Sequence, residues 1–151
     1  MTRSQTEFGW GANLSFALNI TDSDDFGFLV VGGDGIGGQG NDAGFLNTDA
    51  AIDANGDLQT LPYYSGMLSF RHRWSEDWRS TATYGYVSVD SVAGQLGSTY
   101  ETTQYASLNL MYQFSPNATA GVEVLYGDKT VRDDCESEAL RVQFSLVYWL
   151  F

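Results

Sequence analysis

The sequence predicts an all-β fold, an antiparallel sheet of about seven meandering strands that forms part of a transmembrane β-barrel. In residues 140–151 every even position is apolar, whereas the odd positions begin with Arg141, Gln143 and Ser145. A period of two places these sets on opposite faces of a strand. The chain contains no run of about 18 apolar residues of the kind that predicts a transmembrane helix. A membrane-spanning reading therefore requires strands.

Seven stretches alternate in this way, and most of their large apolar residues occupy even positions. The first begins at Phe8 and ends at Ile20, and the second dissolves into glycine after Val30. Alternation over five or more residues predicts a half-buried strand. The seven predicted strands, in chain order, are 8–20, 26–30, 64–74, 78–86, 106–114, 118–126 and 140–150.

The connections between these strands alternate in length. Residues 21–25, 75–77 and 115–117 predict tight turns, whereas 33–57, 88–101 and 127–138 are long and acidic. Short turns on one side and long loops on the other are typical of transmembrane barrels, in which the long loops lie outside the cell. Within the first long loop, residues 48–54 predict one or two helical turns, with Thr48 as the N-cap.

Composition and motifs exclude several classes of function. The chain has 19 acidic and 7 basic residues, a net charge of −12, which argues against a nucleic-acid partner. It has one cysteine, Cys135, and one histidine, His72, so neither a disulfide framework nor a catalytic pair is expected. Residues 53–57 resemble the start of a calcium loop but lack its downstream glutamate, so a turn is favoured. We expect no enzyme activity, cofactor or metal.

Alternation alone does not separate a barrel from a soluble β-sandwich, which also has one apolar face. Arg71, Arg73, Arg79 and Arg141 lie on the polar face, where either fold would place them in water. The composition of that face favours the barrel. It is rich in Gly, Ser, Thr and Asn, and Lys129 is the only lysine in the chain, whereas soluble surfaces carry interspersed Lys and Glu. A soluble sandwich that acts as a binding module remains the alternative.

Five charged residues on the polar face are the predicted channel-lining residues. A symmetric hairpin places Arg73 opposite Arg79, with Arg71 two residues away. Such a cluster attracts anions, because guanidinium groups bind carboxylates with two parallel hydrogen bonds. The other reading is solvated charge near a turn, paired with acids from other strands. Glu123 and Arg141 are predicted to form a cross-strand ion pair, worth at most about 1 kcal/mol.

Aromatic residues gather at both ends of the predicted strands, as in the interfacial girdles of membrane barrels. Trp74 and Trp78 flank a short turn and are predicted to lie opposite each other. The predicted girdle consists of Trp74, Trp78, Tyr112 and Tyr148 on the short-turn side and Tyr84, Tyr86 and Tyr126 on the long-loop side.

Several short motifs occur in an order that resembles the C-terminal half of one known family, the DcaP-like porins of Gram-negative outer membranes. They are Gly32-Gly33-Asp34-Gly35-Ile36-Gly37, Leu61-Pro62-Tyr63-Tyr64-Ser65-Gly66, Thr83-Tyr84-Gly85-Tyr86-Val87, Leu125-Tyr126-Gly127 and Arg141-Val142-Gln143-Phe144-Ser145-Leu146-Val147-Tyr148. Two departures from the family pattern are the absence of an N-terminal half with its signal peptide and a terminal Phe151 one residue beyond the usual aromatic end.

The resemblance implies that residues 1–151 form a single C-terminal segment of a sixteen-stranded barrel in the cell outer membrane. It implies contact with outer-membrane lipid and lipopolysaccharide, and a homotrimer when the barrel is complete. It also implies passive transport of small hydrophilic, anionic solutes such as dicarboxylates. By analogy, Arg71, Arg73 and Arg79 line the pore. A nonfunctional fragment of a porin gene is a further alternative.

Overall fold

The computed structural model describes residues 5–39, 46 and 48–150, and in these residues the protein is built from β-strands. Seven strands form one antiparallel sheet in which each strand pairs with the next in the chain, apart from a small two-stranded hairpin, β3–β4. The predicted all-β meander is confirmed. The bounds are β1 Trp10–Asn19, β2 Asp24–Asp34, β3 Ala50–Ile52, β4 Leu58–Thr60, β5 Pro62–Arg73, β6 Trp78–Val89, β7 Tyr100–Ser115, β8 Ala118–Val131 and β9 Glu136–Tyr148.

The even positions form an apolar face that nothing in the described part of the chain covers. Leu108, Phe144 and Leu146 are 60%, 81% and 72% exposed, although residues of this kind are normally buried in soluble proteins. A β-sandwich would bury such a face against a second sheet, and the described residues contain no second layer there. The exposed apolar face is therefore unlike the surface of a soluble domain.

The band of apolar side chains runs obliquely across the sheet. The hydrogen-bonded row through Leu140 in β9 reaches Phe16 in β1, six residues after Trp10, the first residue of that strand. At the other edge, the row through Ile20 reaches Phe144, six residues before Leu150. Both edges of the apolar band are thus displaced along the strands by about one residue for each strand crossed.

This slip determines how the strands cross the band. One residue per strand, at about 3.3 Å per residue and about 4.8 Å between strands, corresponds to a tilt of about 35°. The stretch from Trp10 to Ile20 then spans about 27 Å along the normal of the band. Transmembrane barrels have strands tilted by about 35–45° and an apolar band about 25 Å tall. The register and the sequence together match membrane-barrel geometry.

The buried core lies on the opposite face, near the long connections. Leu61, Tyr63, Val87, Val89 and Tyr100 form it, with Val31, Ile36, Ala51 and Val92 packed against it. Tyr100 reaches this face because a register shift between Tyr100 and Thr102 breaks the even–odd alternation of β7. The connection after β2 therefore folds back over the polar face of the sheet.

The helical turns predicted at residues 48–54 are wrong, because Ala50–Ile52 is a strand that pairs with β4. The side chain of Asp53 explains the difference. Its Oδ1 accepts hydrogen bonds from the backbone N–H groups of Asn55 at 2.8 Å and Asp57 at 3.0 Å. Such local bonds favour a turn over a helix, and Gly56, with φ +84°, completes it.

The prediction of a third long connection at 127–138 is also wrong. β8 continues to Val131 and β9 begins at Glu136, so only residues 132–135 connect them. Asp134 turns the chain with φ 59°. The prediction ended these strands where apolar alternation ends, but their backbone hydrogen bonds continue into a polar hairpin.

The sheet has two free edges in the described part of the chain, β1 and β9. Because β1 and β9 are the first and seventh strands of an antiparallel sheet, they run in the same direction. The barrel is not closed, and the chain is a segment of its wall. No helix in the described residues is long and apolar enough to cross a membrane.

Candidate functional site

Three arginines of the polar face lie together at the short-turn end, and we call them the arginine cluster: Arg71, Arg73 and Arg79. Arg73 lies directly opposite Arg79, as the hairpin register predicted. Arg73 Nη2 lies 2.8 Å from Oδ2 of Asp25, and Arg71 Nη1 lies 3.7 Å from the same oxygen. The structure thus adds one carboxylate to the cluster.

Asp25 escaped the sequence analysis because residues 21–25 were assigned to a turn. β2 in fact begins at Asp24, and Asp25 pairs with Arg71 across the β2–β5 ladder. The odd sequence number of Asp25 could have indicated this contact, because the odd-numbered residues of β2 and β5 all point to the same face of the sheet as the arginines. The interpretation in which acids from another strand pair with the arginines is thus correct for two of the three.

Positive charge exceeds negative charge in this cluster. Asp25 serves both Arg71 and Arg73, and among the described residues Arg79 has no ion-pair partner. The guanidinium groups of Arg71 and Arg73 are nearly half exposed, so each pair contributes at most about 1 kcal/mol to stability. The cluster is therefore a hydrated, positively charged patch rather than a structural salt-bridge network.

A continuous row of polar side chains runs from the cluster across all seven strands of the sheet. The register aligns Arg71 with Thr81, and Thr81 with Asn109, whose Oδ1 accepts a hydrogen bond of 3.0 Å from the backbone N–H of Thr81. The complete row consists of Asn19, Asp25, Arg71, Thr81, Asn109, Glu123 and Gln143. A row of this composition makes one level of the wall wettable throughout.

The predicted ion pair between Glu123 and Arg141 is wrong in register. Glu123 lies opposite Gln143, and Arg141 lies opposite Leu125. The turn at 132–135 is centred one residue later than the symmetric hairpin assumed, which shifts the pairing by two residues. A shift of two preserves parity, so both charges remain on the polar face. Arg141 therefore lies away from Glu123 and nearer the long-loop end.

Small residues on the polar face let long neighbours lie flat against the wall. The ring of Tyr105 occupies the space over Gly85, its cross-strand partner. Met111 lies in the same way over Gly121. A side chain at either glycine would displace its neighbour away from the sheet, so these glycines keep the polar face open.

Aromatic side chains line the short-turn edge of the apolar face. The backbone N–H of Trp74 donates to the carbonyl of Trp78 at 2.9 Å, which places the two residues opposite each other as predicted. Trp78 stacks on Tyr112 with ring centroids 4.5 Å apart. Trp74 Nε1 donates to Ser80 Oγ at 3.0 Å, and Tyr148 pairs with Ala118 beside the neighbouring short turn. These contacts give the Trp and Tyr side chains the mixed polar and apolar surroundings of an interface.

His72 and Asp24 add a polar contact to this edge. His72 Nδ1 lies 2.7 Å from Asp24 Oδ1, and Thr21 Oγ1 donates to Asp24 Oδ2 at 2.7 Å. The imidazole meets Trp74 edge-on, with ring centroids 4.3 Å apart. At the long-loop side, Tyr84 and Tyr126 both pair with Ala106, one from each neighbouring strand. Tyr86 lies two residues farther along β6 toward the long-loop end.

At the long-loop end, the connections after β6 and β8 are hydrogen-bonded to each other, and the connection after β2 packs on the sheet. The backbone N–H of Arg132 donates to Thr99 O at 2.9 Å, and its guanidinium donates to Gln95 O at 2.7 Å. In the first connection, Ile36 fills the space over Gly11 and Gly33 on the polar face. Sequence reasoning missed this packing, although apolar Val87 and Val89 at polar-face positions were a signal for it.

The loop acids have ordinary turn roles. Backbone hydrogen bonds, first from Asp57 and then from Asn55, lower the pKa of the Asp53 carboxyl. A hydrogen bond to Asp133, together with its negative charge, raises the pKa of the Cys135 thiol. Within the described ranges, no group of three His, Cys, Asp or Glu side chains is placed to hold a metal ion.

The geometry defines a class: a segment of a porin-type β-barrel wall, with an apolar face, an oblique apolar band and a polar face that carries an arginine cluster. A solved structure with the same fold is the outer membrane channel DcaP of Acinetobacter baumannii, with a TM-score of 0.77 and 18% sequence identity. The match covers 93% of this chain and 40% of that channel, so this chain has the fold of part of a DcaP-like barrel.

The two other comparisons add no relative. Neither models of protein families nor the curated proteins match this sequence. The likeness is therefore one of fold, in agreement with the motifs that resemble DcaP-like porins.

Proposed function

We propose that this chain forms part of the wall of an outer-membrane diffusion channel for small hydrophilic solutes. The observation that carries the proposal is the coincidence of two faces in one sheet: an exposed apolar band with membrane-barrel tilt, and a wettable opposite face. Lipid satisfies no backbone or side-chain hydrogen bonds, so polar residues of a spanning sheet must line water. The proposal includes no catalytic step.

We further propose that the channel prefers anions, with dicarboxylates as the best substrate class. The arginine cluster supports this, because it holds three guanidinium groups against one carboxylate. Among the described residues Arg79 has no ion-pair partner, and Arg71 and Arg73 share Asp25. A solute with two carboxylates can contact two of these forks at once.

The same geometry supports a proposal for place and assembly. The apolar band and its aromatic edges fit outer-membrane lipid and lipopolysaccharide on the outside of the barrel. Strands beyond β1 and β9 complete the wall, and the resemblance to DcaP-like porins is the support for proposing that the finished barrel assembles as a homotrimer.

Replacing Arg71, Arg73 and Arg79 with glutamine in the assembled channel is expected to reduce anion preference. One unit charge changes the energy of an ion 4 Å away by about 1 kcal/mol in water. That corresponds to about a fivefold change in local anion concentration for each arginine at contact. The measurement is the reversal potential across a planar bilayer under a KCl gradient.

The control is Lys129→Gln, which removes one positive charge from the polar face near the long-loop end, away from the cluster, and is compared with the single variant Arg79→Gln. It should shift the reversal potential much less. If the triple variant and the wild type have equal reversal potentials, the cluster has no part in selectivity. If the wild type has no conductance, the channel proposal itself fails.

A further inference from the structure

A narrow apolar groove crosses the outer, lipid-facing side of the sheet at Gly66. Gly66 lies between Val30 on β2 and Tyr86 on β6 in direct register. A side chain added at Gly66 would meet little, since the nearest atom to its Cβ position is Leu29 O at 3.7 Å. The groove measures about 350 Å³, at the small end of the range of about 300–1,000 Å³ for ligand sites.

The walls of the groove are apolar, and its rim at the long-loop end carries tyrosine hydroxyl groups. Phe28 and Val30 lie on one side, Tyr84 and Tyr86 on the other, and Leu68 and Tyr64 close its two ends. The Tyr64 ring also lies over Gly32, which widens the groove next to β2. Tyr64 marks the edge of the apolar band on β5, so the groove begins inside the band and ends at its long-loop boundary.

The rim hydroxyls identify the chemistry of the occupant. Tyr84 donates to Gln104 Oε1 at 2.8 Å, whereas among the described residues the hydroxyls of Tyr64 and Tyr86 have no hydrogen-bond partner. Free phenol donors above an apolar groove fit a molecule with a hydrocarbon chain that ends in an acceptor. An acyl chain with its ester or amide carbonyl has this form.

We propose that the groove over Gly66 binds one acyl chain of a membrane lipid in the leaflet on the long-loop side, with its carbonyl bound by Tyr64 or Tyr86. This rests on the proposed membrane-barrel function. The occupant is a lipid rather than a second copy of the chain, because the groove holds only about 350 Å³ and continues the exposed apolar band. A close-packed protein contact would need a complementary face of several hundred square ångströms per partner.

The test is lipid retention by the detergent-extracted barrel, measured by native mass spectrometry after addition of dipalmitoyl phosphatidylethanolamine. Wild type is expected to retain one lipid per chain. Gly66→Leu should bind this lipid with at least tenfold weaker affinity and lose it, and Gly66→Ala should have an intermediate affinity. Ala82→Leu adds three carbon atoms, against four in Gly66→Leu, to the apolar face outside the groove and should retain the lipid. Tyr64→Phe combined with Tyr86→Phe should weaken retention without filling the groove.

Equal lipid retention by wild type and Gly66→Leu, both showing heat-modifiable gel mobility, would overturn the proposal. So would a change of oligomeric state in Gly66→Leu with lipid retention unaltered, because the groove would then be a protein contact. Conductance of the same preparations separates the two proposals. A barrel that binds the lipid but does not conduct fails only as a channel.

Discussion

Asp25 decides the charge of the arginine cluster. It is the one described acid in contact with Arg71 and Arg73, and the polar face around it has no other carboxylate within ion-pair distance of these arginines. Its presence halves the excess charge that those two arginines would otherwise present. Asp25 and Arg79 therefore have opposite electrostatic effects on an ion beside the cluster.

Asp25→Asn is expected to increase anion preference, whereas Arg79→Gln should decrease it by a similar amount. Each variant changes the local charge by one unit, with opposite consequences for an anion, and the effect shrinks as salt screens it. Reversal potentials at low and high salt measure both the sign and the screening.

Asp77→Asn is the matched control for the lost carboxylate, since Asp77 lies in the exposed turn before β6. It should change the reversal potential less than Asp25→Asn. Shifts of the same sign for Asp25→Asn and Arg79→Gln would show that charge at the cluster does not govern selectivity.

At this scale the sequence predicted which residues share the polar face but not all of their partners. Arg73 and Arg79 meet as predicted because their turn is short and symmetric. Asp25 was hidden because acidic residues next to a turn read as turn residues. The local sequence pattern predicts well which face of the sheet a residue occupies. It predicts poorly where a strand begins when the first residues of that strand are polar.

The register of the β8–β9 hairpin is the element that the sequence predicted least well. The pairing of Glu123 with Gln143, and of Leu125 with Arg141, follows from a four-residue turn and a polar extension of both strands. Charged residues past the apolar band gave no alternation signal, so the true position of the turn was not visible.

Cysteines at positions 123 and 143 are expected to cross-link readily, and cysteines at 123 and 141 should not, once Cys135 is replaced with serine. Directly opposed residues have Cβ atoms about 4.5–5.5 Å apart, whereas diagonal ones are about 7–8 Å apart, which is too far for a disulfide. Free-thiol counting after mild oxidation measures the difference. Preferred cross-linking of 123 to 141 would show instead that the hairpin has the symmetric register, with position 123 opposite position 141.

The packed connection between β2 and β5 is the second element with a functional consequence. Leu61 is 2% exposed and belongs to the core that holds this connection against the polar face. Because the connection lies on the same side as the arginine cluster, it narrows the space in front of the long-loop end of the wall.

Leu61→Ala is expected to loosen this connection. Truncating a buried leucine costs about 2–5 kcal/mol, and 2 kcal/mol enlarges the open population about thirtyfold when opening is local. Proteinase K cleavage within residues 35–61 should accelerate accordingly, and single-channel conductance should rise. Leu96→Ala, at a position 76% exposed, is the control and should change neither. Unaltered cleavage in Leu61→Ala would mean that the core does not hold the connection.

At the scale of the whole molecule, the direction of the edge strands decides what completes the wall. β1 and β9 run in the same direction, so joining β9 of one copy to β1 of another gives a parallel pair. Pairing β1 with a second β1 in antiparallel fashion inverts one copy across the membrane. An all-antiparallel barrel therefore needs an odd number of additional strands of different sequence.

The chain refolded alone in micelles is expected to leave the edge amides of β1 and β9 unprotected, while amides of the central strands β6 and β7 exchange slowly. Unpaired backbone groups at a sheet edge have no partner to protect them. Hydrogen–deuterium exchange followed by mass spectrometry gives this pattern directly. A monomeric chain that is stable in buffer, with both edges protected, would contradict the barrel-segment fold.

The sequence by itself determined the strands, their faces and the class of fold, because a period of two and the cost of polar groups in lipid are local properties. Only the tertiary structure decided the oblique slip of the apolar band, the contact of Asp25 with the arginines, the register of β8–β9 and the folding of the long connection onto the polar face. Each of these depends on which residues meet across strands. Such pairing is set by turn geometry and by packing between distant segments, which alternation within one strand does not encode.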